Sequence, residues 1–319
     1  SVPCTHDGHL HVHRIAAMRH ALENGIYFSR WLPDLAFGYG YPFFVYREPG
    51  PLYAILLPNS LGLPLAAASN LFYALTILAA GWFMFLWVRD VVGARTGFVS
   101  AVAYMAAPYL LLDAFVRGNA PESMALPLFP FLLWMGRRWM IKGTAVPFLL
   151  SVLGLVLLSL SHNISTLIFV PTLLVYLLAV SLIDRLSWQP LLGRLALLFG
   201  LGLGITFFYT GGALLEMDQV TLSQSTVTRN NDFHFNFASI GEILAPAAAE
   251  DPNLGNPPLP IRLGWVPFIL ALIGATTLLW KRWMNKEQRW HVLLMIIAAA
   301  IFIFMALPIS LPLWEGLPA

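Results

Sequence analysis

The sequence predicts an all-α polytopic membrane protein with about eight transmembrane helices, preceded by an N-terminal interfacial amphipathic helix and a re-entrant segment. Three observations carry this. Hydrophobic residues make up 58% of the chain and charged residues 11%, about half the charge of an average soluble domain. Runs such as Leu71–Val88 and Phe148–Leu160 are apolar on every side, as lipid requires. Basic residues gather in alternate connections between those runs, the pattern that sets orientation in a bilayer.

The chain opens on a polar stretch, Cys4–Arg14, that holds four of the eight histidines and one acid, so ionisable chemistry is expected there. Ser1–Gly25 reads as a loop and then an amphipathic helix. At about 100° per residue, Val12, Ile15, Met18 and Leu22 share one side and His9, His13 and His20 the other, with His6 near them and His11 pointing away. Such a helix is expected to lie in the membrane interface, and Asn24-Gly25 ends it. Ile26–Pro51 is rich in Trp, Tyr and Phe and is expected to be an ordered interfacial loop. Pro58, Gly62 and Pro64 break the apolar Pro51–Ala67 into a short or re-entrant helix.

The spans follow at Asn70–Val88, Gly97–Val116, Ser123–Trp134, Ala145–Leu160, Ile164–Ile183, Pro190–Tyr209, Leu263–Trp280 and His291–Leu307. The short, proline-containing Ser123–Trp134 fits this scheme least well. Four connections hold Arg89 and Arg95; Arg137, Arg138 and Lys142; Arg185, with Arg194 just inside the next span; and Lys281, Arg282, Lys286 and Arg289. The positive-inside rule makes these cytoplasmic. The polar knot, the Arg117–Glu122 turn, the His162-Asn163 turn and the Gly211–Arg262 loop then face the other side. The organisation is residues 1–66 as an external loop with the interfacial helix, 67–210 as a helical bundle, 211–262 as an external loop and 263–319 as C-terminal spans of one membrane domain. Gln219–Asn236 is the long soluble-looking segment. The chain begins without Met and stops at Leu317-Pro318-Ala319, and reads as a piece of a longer protein truncated at both ends.

Composition narrows the functional classes. A net charge of +2 implies no nucleic-acid partner. One cysteine, Cys4, excludes an internal disulfide framework and a zinc site built on several thiolates. Asp7 is the candidate catalytic carboxylate, against the simpler role of helix N-cap. His9 and His13 stand at i and i+4, a spacing that can hold a divalent metal with His6 and Asp7, but Leu10 occupies the place of a metalloprotease glutamate. No metal site is assigned on that basis; the histidines are expected to touch lipid phosphate or substrate. Arg117 is a candidate phosphate ligand, Glu122 an anion at a helix start, and His162 and Asn163 are polar groups set close to the apolar region. His234 joins them as a candidate from the long outer loop. Gly200, Gly202 and Gly204 lie inside a span and are read as helix-packing residues. Asn163-Ile164-Ser165 matches a glycosylation sequon but abuts a span.

The combination of His6-Asp7 before the amphipathic helix, Gly25–Asp34 and Gly38–Phe44 resembles the bacterial membrane proteins labelled "6-pyruvoyl-tetrahydropterin synthase-related". These are similar to the GT-C superfamily of polytopic glycosyltransferases, and the resemblance extends more weakly to Glu122, His162-Asn163 and Trp314–Pro318. It implies a GT-C-like fold in the bacterial inner membrane. The implied activity is transfer of a sugar from a polyprenyl-phosphate donor to a glycan or protein acceptor at the non-cytoplasmic face, with Asp7 as the catalytic acid or base. Two other classes stay open: a transporter or flippase of a lipid-linked glycan, which calls for ionisable groups within the spans, and a non-catalytic membrane scaffold.

Overall fold

The computed structural model describes residues 5–216, 219, 232–246, 262–278 and 284–316. The described residues are helical throughout, apart from turns and one isolated antiparallel bridge between Leu32 and Tyr41. They fall into two compact units, one formed by residues up to Ala106 and Leu110–Leu214, the other by Ala107–Tyr109 and residues from Leu215 on. Each is described by itself.

The first unit begins with α1 (Gly8–Glu23), a four-residue helix α2 (Phe43–Tyr46) and α3 (Gly50–Ser60). The long helix α4 (Leu65–Val91) follows, then α5 (Ala94–Met105) and α6 (Pro108–Leu112), which runs into a π-helical turn at Asp113–Arg117. After it come α7 (Ala120–Lys142), α8 (Ala145–Ser161), α9 (Asn163–Ile183), α10 (Trp188–Ile205) and α11 (Phe207–Leu215). Helix α7 packs against α4, α8 and α9. It extends well beyond the expected Ser123–Trp134, because Pro127 and Pro130 are accommodated inside it. Helix α11 carries helical structure into what the sequence assigns to the outer loop from Gly211.

Among the described residues, four helices are long and apolar enough to cross a membrane: α4, α9, α10 and, in the second unit, Lys286–Ala306. The bent pair of α5 with Pro108–Arg117, angled at 41°, makes a fifth if it counts as one span. Helix α8 has 17 residues, or about 25 Å at 1.5 Å per residue, short of the ~30 Å hydrocarbon core. The outward surface is that of a bilayer protein. Along α4, Leu71, Leu75, Leu78 and Trp82 recur on one face and are all 40% to 59% exposed, an apolar stripe that water would penalise and lipid would not. Inward faces use small residues for close approach. A Cβ at Gly202 would sit 2.7 Å from Leu155, whereas Gly200 and Gly204 face open space, so only one of the three glycines serves helix packing.

Beneath α1 lies the core that fixes the site. Ile15, Met18 and Ala21 from α1, Leu52, Ile55 and Leu56 from α3, and Ala68, Phe72 and Tyr73 from α4 pack together with Leu32, Phe43 and Phe44. The apolar face of α1 is thus taken up by protein. His11 does not point away: at i, i+4 and i+7 it shares the buried side with Ile15 and Met18.

In the second unit, Ser239 and Glu242 form a capping box on Ile240–Ile243, and Asn285 with Gln288 caps Lys286–Ala306. Trp265–Thr277 and Leu311–Glu315 complete it. Most of Gln219–Asn236, Arg229 included, lies outside the described residues, as do Lys281 and Arg282.

Candidate functional site

The site is built where the chain start meets the turn between α6 and α7. His6 N–H donates to Val116 O at 3.0 Å and Asp7 N–H to Arg117 O at 2.8 Å. This stitches the segment before α1 onto the π-helical turn, a distortion common at functional positions. Gly118 makes the approach feasible. Its φ is +66°, and a Cβ there would collide with the Thr5 side chain. Its carbonyl accepts from Tyr73 Oη at 2.7 Å.

Asp7 occupies the N-cap position of α1, but its side chain accepts no hydrogen bond from the helix. The carboxylate faces Arg117, with Oδ2 3.9 Å from Nε. Arg117 Nη1 lies 2.6 Å from Glu122 Oε2 and 3.6 Å from Asp113 Oδ1. One guanidinium therefore serves three carboxylates. Asp113 is fully buried; its Oδ2 accepts from Ser123 Oγ at 2.8 Å, while Oδ1 has only the longer contact with Arg117. Glu122 also accepts from Asn119 Nδ2 at 3.3 Å, and Asn119 caps α7.

A second polar group forms at the junction of α8 and α9. The Asn163 backbone N–H donates to Glu48 Oε1 at 2.9 Å, and the Asn163 side chain contacts Tyr46 O and Tyr209 Oη. His162 caps α9 and contacts Ser165 Oγ through Nδ1 at 2.7 Å. Burial pulls its pKa down, against the fields of Glu122 and Glu48, which raise it. Those fields, with those of Arg117 and Arg47, tie this group to the Asp7 group electrostatically.

Asp7, Arg117 and Glu122 thus form one contact group, and His162 lies within the fields of Arg117 and Glu122. His6 is half-buried, with Nε2 lacking a hydrogen-bond partner. His9 and His13 share the exposed face of α1, turned away from the buried face that holds His11. Among the described residues, no three His, Cys, Asp or Glu side chains form a metal-holding group. His234 belongs to the second unit, where Nδ1 meets Asp232 at 2.6 Å and Nε2 lies 3.8 Å from Glu315.

Sequence reasoning missed several members. His11 is buried with Nδ1 unpartnered. Burial first, then the fields of Arg14, Arg47 and Arg117, push its pKa down to about 4, so it is neutral at physiological pH. It lines a cavity of about 10 Å³ with Thr5, Ser69 and Tyr73, the lower limit for one water. The 3.6-residue period already put His11 with Ile15 and Met18. Asp113 stood as an acid near the end of an apolar run and Glu48, with Asp34, as one of two acids in the aromatic stretch, each costly if buried unpartnered.

Comparison with known proteins gives no family model that matches this chain. An uncharacterized protein of Lactococcus lactis subsp. cremoris (strain MG1363) is 24% identical over 170 residues, which cover 52% of this chain and 28% of that protein. The chain therefore matches little more than a quarter of that relative's length. No solved structure matches.

Proposed function

We propose that the chain is a membrane glycosyltransferase that moves a sugar from a polyprenyl-phosphate donor to a glycan or protein acceptor, with Asp7 as the catalytic carboxylate. Eight spans, a GT-C-like fold, and a bacterial inner membrane with Asp7 on the non-cytoplasmic side belong to the same reading. The observation that carries it is the Asp7 side chain, which stands at a helix start yet spends no hydrogen bond on capping it. A 38% exposed carboxylate beside a guanidinium is accessible to an acceptor. In the proposed step the acceptor oxygen bonds to sugar C1 as its proton passes to Asp7, and the bond from C1 to the phosphate oxygen breaks with its electron pair leaving on phosphate. Asp7→Asn should lower transfer of a radiolabelled sugar from polyprenyl phosphate by about 100-fold or more, with the chain still folded. Full transfer by folded Asp7→Asn would remove this assignment.

Asp113 favours a second reading, a transporter or flippase of a lipid-linked glycan. It is fully buried inside the bundle, and buried intramembrane carboxylates mark transport paths. Loss of lipid-linked glycan translocation in Asp113→Asn, with Asp7→Asn silent, would select it.

A further inference from the structure

Residues 26–41, between α1 and α2, form an aromatic loop that the site described above does not use. The loop is tied from within. Leu32 and Tyr41 exchange both backbone hydrogen bonds, at 2.9 and 3.0 Å. The Leu35 carbonyl accepts from the N–H groups of Gly38 and Gly40, and the Trp31 indole lies so close over Gly40 that a Cβ there would collide with it. Leu32 is fully buried in the core beneath α1, and Leu35 packs against the same core. Beyond this base the rings turn outward: Phe37 is fully exposed, Tyr39 86% and Tyr27 76%. Ala36 and Phe37 both have positive φ, +52° and +58°, a region that side chains disfavour.

The ends of the apolar helices set the level of this loop. Leu65 and Ala68, at the start of α4, belong to the core that holds Leu32 and Leu35. Phe28 meets Phe208 edge-on, with 5.5 Å between centroids, just past the end of α10 at Ile205. Asn163, the first residue of α9, contacts Tyr209 Oη beside that ring. Three helices long and apolar enough to cross a membrane, α4, α9 and α10, thus begin or end where the loop is rooted.

We infer that residues 26–41 form a finger that docks into the interfacial layer of the bilayer, with Phe37 at its tip among the phospholipid glycerol and upper acyl groups. In water the tip is unfavourable twice over: a bare phenyl ring is presented to solvent, and a strained backbone holds it there. Lipid removes the first cost, and strain of this kind gathers at points of contact with a ligand. Tyr and Trp rings settle at the same depth, apolar body in lipid and polar edge in water, which fits Tyr27, Trp31 and Tyr39 around the tip. The inference uses the membrane character of the chain and stands apart from the proposed transfer reaction.

The test uses the full chain in phosphatidylcholine nanodiscs. Cys4→Ser removes the single native cysteine, and Tyr39→Cys carries an environment-sensitive fluorophore. Nitroxide-bearing phospholipid reports contact with lipid, and iodide in the buffer reports contact with water. Leu75→Cys, on the exposed apolar face of α4, is the lipid reference. The label at position 39 should be quenched by nitroxide lipid and shielded from iodide. Phe37→Asp should raise its iodide quenching about threefold or more, because a carboxylate is expelled from lipid. Phe37→Trp should keep the original pattern. Phe37 is fully exposed, so both variants leave the core intact. Strong iodide quenching with none from nitroxide lipid overturns the inference, as does a Phe37→Asp pattern identical to that with Phe37. Iodide access that falls only when an oligosaccharide is added would assign the rings to a glycan and overturn it too.

Discussion

At one end of α4 and α7, Asp90 accepts from Arg138 Nε at 2.6 Å and Trp134 Nε1 at 2.7 Å, with Arg89 at 3.3 Å, and Arg137 pairs with Asp184. At the other end, Arg117 stands among Asp7, Asp113 and Glu122. The first end has more donors than acids; at the second, three carboxylates share one guanidinium. Structural ion pairs tend toward the first arrangement, because an unpaired charge near lipid is expensive. An excess of carboxylate is what a fold tolerates when the groups serve a ligand or a proton. The difference is one support for the proposed reading of the Asp7 end.

The contrast can be broken by acid. His11 has its pKa lowered from 6.5 to about 4, so between those values the unfolded chain binds a proton that the folded chain refuses. Stability should therefore fall as pH drops through 6.5 and level off below about 4, a loss of roughly 3 kcal/mol. Thermal unfolding in detergent across this window should show the slope, and His11→Leu should flatten it. An unaltered slope in that variant would assign the acid sensitivity elsewhere.

A smaller effect is expected from Arg117→Met. It leaves three carboxylates without their shared cation and should cost about 2 kcal/mol, reduced from the fully buried case because Arg117 is 32% exposed. Arg138→Met at the opposite end should cost under about 1 kcal/mol, since Asp90 keeps Trp134 and Arg89. Equal melting-point shifts for the two variants would erase the distinction drawn above. Asp7→Asn should be the mildest, within about 0.5 kcal/mol, because Asp7 caps nothing. A larger loss by the same assay would return it to a structural role.

Much of the architecture was legible in the sequence. Hydropathy located the helical segments because, in a bilayer, backbone polar groups must be satisfied within each span. Helix ends were less legible: α7 runs on through two prolines, and α10 stops at Ile205, where hydropathy continues. At the site, Asp7 and Arg117 stood out as charges beside apolar runs. Their meeting did not, because it depends on backbone pairing across more than a hundred residues and on a π-helical turn that no local pattern announces. His11 was hidden in plain periodicity, since a histidine among Ile15 and Met18 reads as polar by type and buried by position.

The two hydrogen bonds that hold His6 and Asp7 to Val116 and Arg117 also set an order of assembly. Asp7 is made among the first residues of this segment, but its backbone partner is synthesised about 110 positions later. At ribosomal rates of ~5–20 residues per second, that delay is on the order of ten seconds. During it, α4 is made while the polar knot waits unanchored. The site is thus among the last parts of this segment to close, and a stalled or truncated chain lacking the α6–α7 turn would display α1 with nothing to receive it.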